Sequence, residues 1–231
     1  MIKVTSVKKM FGENVTAVED LSFQINKGEI VGFVGQNGAG KTTTIKMLTG
    51  ILNSTSGEIY INGFNIEKET LKAKQSIGYI ADNPDMFLQL TGLEFINFLA
   101  DIYGVSTEER IKRIKELTER FEVTEVLNSP MNDYSHGTRQ KFMVIAALVH
   151  NPPVWILDEP MTGLDPRAAF ELKNMMREHA DSGNCVFFST HVLEVAEKLC
   201  DKIIIIKKGN SVFNGTIEEL SKIYPDKTLE D

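Results

Sequence analysis

Short apolar runs alternate with longer segments of helical periodicity along most of the chain. The runs Val154–Leu157 and Ile203–Ile206 contain no polar position, which is typical of central strands covered on both faces. Strands separated by helical segments predict an α/β fold with a mostly parallel sheet. The predicted strands are Ile2–Val7, Leu21–Ile25, Ile30–Val34, Ile59–Ile61, Ile77–Ile80, Val154–Leu157, Val186–Ser189 and Ile203–Ile206.

The two ends of the chain have patterns of their own. The N-terminal strands lie close together in sequence, and the turn-forming pairs Lys27-Gly28 and Asn62-Gly63 lie between them. This spacing predicts an antiparallel part of the sheet. At the other end, the pattern predicts a short helix over Thr216–Tyr224, and we expect the tail after Pro225 to be frayed.

The middle of the chain, from about Thr91 to Val149, has a helical pattern with almost no strand signal. Ser106 and Glu109 have the spacing of a capping box, in which each side chain satisfies a free amide at a helix start. We therefore predict one domain over 1–231, in which a helical subdomain is inserted into a β core. The predicted core is 1–83 and 151–231, and the predicted helical subdomain is 84–150.

Composition limits the compartment and the partners. Of the 231 residues, 42% are hydrophobic and 25% are charged, as in an ordinary globular domain. The formal net charge of −7 disfavours a protein that grips nucleic acid mainly by charge. The two cysteines make no disulfide framework, and no apolar run is long enough for a signal peptide or a transmembrane helix. We therefore expect a cytoplasmic protein.

The segment from Gly35 to Thr42 fits the phosphate-loop pattern G-x-x-x-x-G-K-[ST] and lies between a predicted strand and a predicted helix. Its glycines let backbone amides curl around an anion, and the helix start adds positive partial charge. Lys41 can reach the β- and γ-phosphates of a nucleotide, and the Thr42 hydroxyl can bind Mg²⁺. The predicted nucleotide-binding residues of this loop are Gly35, Asn37, Gly38, Gly40, Lys41, Thr42 and Thr43.

The apolar strand at 154–157 ends in two carboxylates, Asp158 and Glu159. Successive side chains of a strand point in different directions, so the two acids can serve different partners. Beside a phosphate loop, Asp158 can hold Mg²⁺ through water, and Glu159 can orient or deprotonate the water that attacks the γ-phosphate. Solvated acids at a strand end are the alternative, and the nearby phosphate loop favours the functional interpretation.

Three further motifs follow in a fixed order. They are Tyr134–Lys141 (YSHGTRQK), Met161–Asp165 (MTGLD) and Ser189–His191 (STH). Together with the phosphate loop and the two carboxylates, they resemble the signature, the D-loop and the switch histidine of the nucleotide-binding subunit of ATP-binding-cassette (ABC) transporters, over roughly residues 2–220. The resemblance implies the ABC ATPase fold, which is built on a P-loop NTPase core, and it implies hydrolysis of ATP with Mg²⁺.

The resemblance also implies that each ATP lies between two chains packed head to tail. One chain supplies the phosphate loop and the other the signature, where Ser135 can cap a helix start and Gly137 lets a phosphate come close. The resemblance implies that His191 contacts the γ-phosphate and fixes the position of Glu159, and that Phe11, at the position where the family has an aromatic residue, stacks on adenine. A structural role in the core is the alternative for Phe11.

The sequence departs from the family pattern at four positions. In the signature, Tyr134, His136 and Thr138 replace the family's leucine, first glycine and glutamine. Asp82 stands where the family usually has the glutamine of the Q-loop. Because the aspartate side chain is shorter, we expect Asp82 to reach Mg²⁺ only through an extra water.

Apolar residues are frequent after Asp82, and we expect most of them to form a small core. A few could instead line a groove for a short cytoplasmic helix of a membrane partner. The residues in question are Met86, Phe87, Leu88, Phe95, Ile96, Phe98 and Leu99.

The preferred hypothesis is the ATP-hydrolysing subunit of an ABC transporter, with export as its direction. Such a chain needs a second nucleotide-binding subunit, identical or different, and transmembrane permease subunits that hold it on the inner face of the cell membrane. No nucleic acid is expected. An ABC ATPase that acts on nucleic acid or ribosomes is an alternative, which the short insertion between Asp82 and Ser135 and the acidic charge disfavour. A nucleotide-binding subunit that hydrolyses ATP poorly is a third hypothesis. It is disfavoured because the residues for hydrolysis, Lys41, Asp158, Glu159 and His191, are present.

Overall fold

The computed structural model describes residues 1–12, 14–85 and 87–223. Within these residues the chain forms ten strands and eight α-helices. The strands are β1 (Ile2–Phe11), β2 (Val15–Ile25), β3 (Ile30–Val34), β4 (Ser56–Ile61), β5 (Phe64–Asn65), β6 (Ile77–Ile80), β7 (Val154–Leu157), β8 (Cys185–Thr190), β9 (Lys202–Lys207) and β10 (Asn210–Gly215). The helices are α1 (Lys41–Leu48), α2 (Thr70–Gln75), α3 (Gly92–Ile102), α4 (Thr107–Arg120), α5 (His136–Leu148), α6 (Pro166–Asp181), α7 (Leu193–Leu199) and α8 (Ile217–Ile223).

The sheet has a parallel centre and an antiparallel N-terminal part. Its strand order is β5-β4-β1-β2-β10-β9-β3-β8-β7-β6. The strands from β9 to β6 in this order pair in parallel, whereas β1 pairs antiparallel with β2 and β4. Every residue of β3, β7 and β8 is buried, as expected of strands covered on both faces. The predicted α/β fold is confirmed, and the carboxyl ends of β3, β8 and β7 meet at one edge of the sheet.

Two apolar cores lie on the two faces of the parallel strands. Trp155 of β7 and Phe188 of β8 belong to the core that also contains residues of α3, α4, α5 and α6. Their neighbours Ile156 and Phe187 belong to the opposite core, where Phe187 stacks on Phe23 with ring centroids 5.7 Å apart. Full burial of such side chains contributes about 1.5–3 kcal/mol each. The strand ends are therefore held from both sides.

Two strands and one turn differ from the sequence prediction. Strands β5 and β10 were not predicted from the sequence. Strand β5 has only two residues, and β10 alternates exposed and half-buried positions, so neither forms a strong apolar run. Asn62-Gly63 joins the antiparallel strands β4 and β5, with φ of 50° and 88°. The other turn, Lys27-Gly28, joins β2 to β3, which are not neighbours in the sheet, and it contributes nothing to the antiparallel part.

Side chains cap the helix starts in the middle of the chain. Helix α3 has a full capping box, because the Glu94 N–H donates to Thr91 Oγ1 at 3.2 Å and the Thr91 N–H donates to the Glu94 carboxylate at 2.9 Å. At α4 only half of the predicted box forms: Ser106 accepts from the Glu109 N–H, but the Glu109 carboxylate pairs with Arg113 at 2.9 Å. These helices belong to the segment predicted as an inserted subdomain, and we retain that division as a proposal.

Helix α8 begins after Thr216 and is described as far as Ile223. The predicted helix end at Tyr224 and the tail after Pro225 lie outside the described residues. Both cysteines are free thiols. None of the helices in the described ranges is long and apolar enough to cross a membrane.

Candidate active site

The phosphate loop joins the buried end of β3 to α1 by a path that requires glycine. A Cβ added at Gly35 would lie 2.5 Å from the Ile206 carbonyl oxygen, and one at Gly40 would lie 2.7 Å from the Ala17 carbonyl oxygen. Gly40 also has a φ of 110°, which is strained for other residues. Among the described residues, no side chain caps the start of α1. The amides at this helix start therefore remain available to an anion.

Lys41 lies at the centre of this loop with only 6% of its side chain exposed. Its ammonium donates to the carbonyl oxygens of Gly35 at 2.6 Å and Gln36 at 3.3 Å, and Nζ lies 3.3 Å from Glu159 Oε1. The predicted phosphate-binding residues, apart from Gly35, surround one cavity of about 240 Å³ together with Asp82 and Glu159. The residues that line it are Ala17, Asn37, Gly38, Gly40, Lys41, Thr42, Thr43, Asp82 and Glu159.

Asp158 follows β7 and is fully buried. Burial is the main cause that raises the pKa of this carboxyl, the nearby charges of Asp82 and Glu159 raise it further, and the neighbouring hydroxyls of Ser189 and Thr42 oppose the rise. The Ser189 hydroxyl donates to Asp158 Oδ1 at 2.5 Å. Among the described residues Oδ2 has no hydrogen-bond partner. Asp158 therefore has one oxygen held by the protein and one free for a ligand or a water.

Ser189, at the end of β8, also holds the next residue along the chain. The Glu159 N–H donates to Ser189 Oγ at 2.9 Å, so one hydroxyl contacts both acidic residues. Glu159 has a φ of 47°, a left-handed conformation that is uncommon outside glycine and often occurs at functional sites. The sequence prediction missed this role of Ser189. The available signal was its place at the carboxyl end of a strand, two residues before His191.

His191 contacts Glu159 directly. Its Nδ1 lies 2.9 Å from Glu159 Oε2, and about half of the histidine side chain is exposed. The structure thus brings the predicted histidine and the predicted general base together. His191 also borders a second cavity of about 440 Å³, which shares Asn37 and Gly38 of the phosphate loop with the first. The lining of this cavity includes Val34, Gly35, Gln36, Asn37, Gly38, Ala39, Leu193 and Val212.

The signature segment forms the start of α5. The Thr138 N–H donates to Ser135 Oγ at 3.1 Å, which confirms the predicted cap. A Cβ added at Gly137 would lie 2.6 Å from the Gly163 carbonyl oxygen. Gly137 is therefore required for packing within the chain, in addition to the predicted approach of a phosphate. Lys141 continues this contact by pairing with Asp165, Nζ to Oδ2, at 3.0 Å.

Six predicted site residues do not line the 240 Å³ cavity. Three of them adjoin residues that do: Gly35 accepts from Lys41, His191 contacts Glu159, and Asp158 precedes Glu159 in the chain. Ser135 and Gly137 are not among its lining residues. Phe11, at the end of β1, is also not among them and is 45% exposed, with Lys9 Nζ 5.2 Å from its ring centroid. An exposed ring suits a stacking surface better than the core role considered as its alternative.

The sequence of the chain matches those of known proteins. Residues 18–162, more than half of the chain, match the family model described as "ABC transporter". The chain belongs to the ABC transporter family. Over 231 residues, this ABC protein is 36% identical to the linearmycin resistance ATP-binding protein LnrL of Bacillus subtilis, and the match covers 100% of this chain and 74% of that protein.

Two solved structures of ABC proteins have the same fold. The ATP-binding subunit of an ABC transporter superposes with a TM-score of 0.95 at 31% identity, over 100% of this chain and 96% of that one. The ATP-binding cassette MJ0796, solved as a dimer in a post-hydrolysis state with ADP and Pi, gives a TM-score of 0.84 at 27% identity, over 94% of this chain and 99% of that one. The predicted ABC ATPase fold is confirmed. This ABC transporter subunit binds and hydrolyses ATP, as its family does.

Proposed function

We propose that this chain is the ATPase motor of a transporter and works as a head-to-tail dimer that encloses two ATP molecules. One observation carries the proposal: Lys41, at the start of α1, lines the cavity of the phosphate loop, whereas Ser135 and Gly137, at the start of α5, do not. A second chain is needed to bring a signature to the nucleotide. The dimeric relative with ADP and Pi supports this arrangement.

In this proposal the phosphates bind the amides of the loop and the ammonium of Lys41, which otherwise contacts loop carbonyls and Glu159. Glu159 then turns to the attacking water and accepts its proton, while His191 holds Oε2 of the carboxylate. The signature of the second chain supports the γ-phosphate. When hydrolysis removes that phosphate, the contact between the two chains is lost and the dimer opens.

Mg²⁺ is proposed as the cofactor, with Thr42, Asp158 and Asp82 as the residues that hold it. The buried, unpartnered Oδ2 of Asp158 fits a cation or its water. In the part of the chain that the structure describes, no three His, Cys, Asp or Glu side chains form a metal site by themselves. Water and phosphate oxygens would complete the ligand set, as is usual for Mg²⁺. The bound ion would neutralise charge on the phosphates.

Asp158→Asn should weaken metal binding more than Asp82→Asn, because Asp158 is buried and bound to Ser189 whereas Asp82 is exposed. With ATP present, we expect the first variant to lower the affinity for Mn²⁺, a stand-in for Mg²⁺, about 10-fold and the second less than about 3-fold. Electron paramagnetic resonance of free Mn²⁺ measures both. Equal losses in the two variants would contradict the assigned ranking.

Part of the apolar segment after Asp82 is available for a membrane partner. Phe87 and Phe98 are 42% and 44% exposed, with ring centroids 5.7 Å apart. Phe95 and Ile96 are buried and belong to the core. Leu88 and Leu99 are half-buried, and Met86 lies outside the described residues. We propose the exposed pair as the contact with a cytoplasmic helix of a permease subunit, which would place the chain on the inner face of the membrane.

Phe87→Asp should release the chain from the membrane fraction without unfolding it. We expect the membrane-bound share to fall about 10-fold, because a charge at this contact would have to be desolvated. Phe170→Asp, on the exposed face of α6 at 64% exposure, is the matched control and should stay bound. Sedimentation of membranes from cells that produce each variant, with a pull-down of the permease, provides the measurement. A folded Phe87→Asp variant that remains membrane-bound would refute this contact.

The same fractionation also distinguishes a transporter subunit from an ABC ATPase that acts on nucleic acid or ribosomes. An ABC ATPase for nucleic acid or ribosomes would sediment with those particles and not with a permease.

Export is our proposed direction, because LnrL is named for resistance to linearmycin and the departures at Asp82 and in the signature resemble exporters. Crosslinking of tagged and untagged copies distinguishes a homodimer from a heterodimer.

A further inference from the structure

His136 is the first residue of α5 and replaces the first glycine of the family's signature. Its ring lies against Gly163, in the turn after Glu159. A Cβ added at Gly163 would lie 2.8 Å from His136 Nε2 and closer still to Cδ2, and Gly163 has a φ of 77°. The histidine ring thus occupies the face of Gly163 that any other residue would fill.

The turn that contains Gly163 is held on two sides by the start of α5. The Gly163 carbonyl lies over Gly137, and the His136 ring covers the side where a Cβ would project. Within the turn, the Thr162 N–H donates to the Glu159 carbonyl oxygen at 3.1 Å. A short, contiguous set of contacts therefore joins the signature helix to the backbone of the general base in the same chain.

We propose that His136 is a positioning residue for Glu159. Its ring holds the turn over 159–163 in place, so that the position of the signature helix, set by the nucleotide at one site of the dimer, affects the carboxylate that acts at the other site. This inference rests on the proposed dimer. Glu159 has a left-handed backbone, and its amide and carbonyl are both hydrogen-bonded, so displacement of the turn shifts its carboxylate. Small misplacements of a catalytic group lower the rate strongly.

The first test distinguishes packing of the His136 ring on Gly163 from a polar contact of the imidazole. His136→Ala should lower kcat for ATP hydrolysis about 5- to 10-fold and leave KM within about 2-fold. His136→Phe keeps a ring on Gly163 and should retain at least about half of the wild-type kcat. If His136→Phe is as impaired as His136→Ala, the histidine acts by a polar contact with phosphate, and the proposal is overturned. Wild-type kcat in His136→Ala overturns it as well.

A double-mutant cycle provides the second test. Gly163→Ala introduces backbone strain in every background but collides with the ring only when His136 is present. We therefore expect His136→Ala to restore part of the kcat lost in Gly163→Ala, with a coupling of about 5-fold. If the two substitutions have additive effects on kcat in variants that still dimerise with ATP, the proposed role of His136 is overturned, whereas the proposed dimer is not. Failure of the wild-type chain to dimerise with ATP under any condition would overturn the proposed dimer instead.

Discussion

Glu159→Gln is expected to stop ATP hydrolysis and to trap the chain as a dimer around ATP. The amide cannot accept a proton from water, and loss of general-base catalysis lowers kcat by about 10²- to 10³-fold. Binding should persist or tighten, because Glu159 Oε1, 3.3 Å from Lys41 Nζ, then no longer neutralises the charge that attracts the phosphates. Size-exclusion chromatography with ATP and Mg²⁺ should show a dimer.

Glu58→Gln is the matched control for this experiment, because Glu58 is exposed on β4, where its carboxylate pairs with Lys68 at 3.8 Å and accepts from the Tyr60 hydroxyl at 3.4 Å. It should behave as wild type, hydrolysing ATP and eluting as a monomer once ATP is consumed. A Glu159→Gln variant that binds ATP and still elutes as a monomer at saturating nucleotide would falsify the homodimeric form of the sandwich. A variant that hydrolyses ATP at the wild-type rate would remove Glu159 from its assigned role.

Lys41→Ala is expected to weaken the binding of ATP strongly. Lys41 supplies the buried positive charge of the phosphate loop, and its removal leaves Glu159 Oε1 without its cationic neighbour. We expect the dissociation constant for ATP to rise about 100-fold, equal to about 2.8 kcal/mol. Titration with a fluorescent ATP analogue measures the change, and the thermal unfolding midpoint shows whether the variant is folded.

Lys46→Ala, on the exposed face of the same helix α1, controls for changes in helix stability and net charge. The affinity of this variant for ATP should stay within about 2-fold of wild type, because solvent and salt screen the charge of the exposed Lys46 from the phosphates. If Lys41→Ala is folded and binds ATP as tightly as Lys46→Ala, the loop does not use this ammonium for phosphate.

The phosphate loop could be predicted from sequence because its conformation is set locally. Gly35 and Gly40 are needed where a Cβ would meet a carbonyl oxygen, and Lys41 follows at a fixed distance along the chain. The role of Ser189 could not be predicted in this way. It depends on the pairing of β7 with β8, which brings residues 31 positions apart within 2.5 Å, and nothing near Ser189 in the sequence specifies that register.

Helix starts show the same limit on a smaller scale. Ser106 and Glu109 have the same spacing as Thr91 and Glu94, yet only the second pair forms a full capping box. The difference arises because Arg113, one turn further along α4, takes the Glu109 carboxylate. A local motif therefore predicts the helix start, whereas competing partners decide which of its hydrogen bonds form.

The single hydroxyl shared by the two acidic residues has a consequence for the energetics of the reaction. Ser189 Oγ binds Asp158 Oδ1 and the Glu159 amide, and His191, two residues further on, contacts the Glu159 carboxylate. These four residues lie at or just beyond the ends of two neighbouring strands, so the folding of the sheet itself orients their polar groups. Little reorganisation remains for the moment when charge develops on the phosphate, which is the condition under which fixed dipoles lower an activation barrier most.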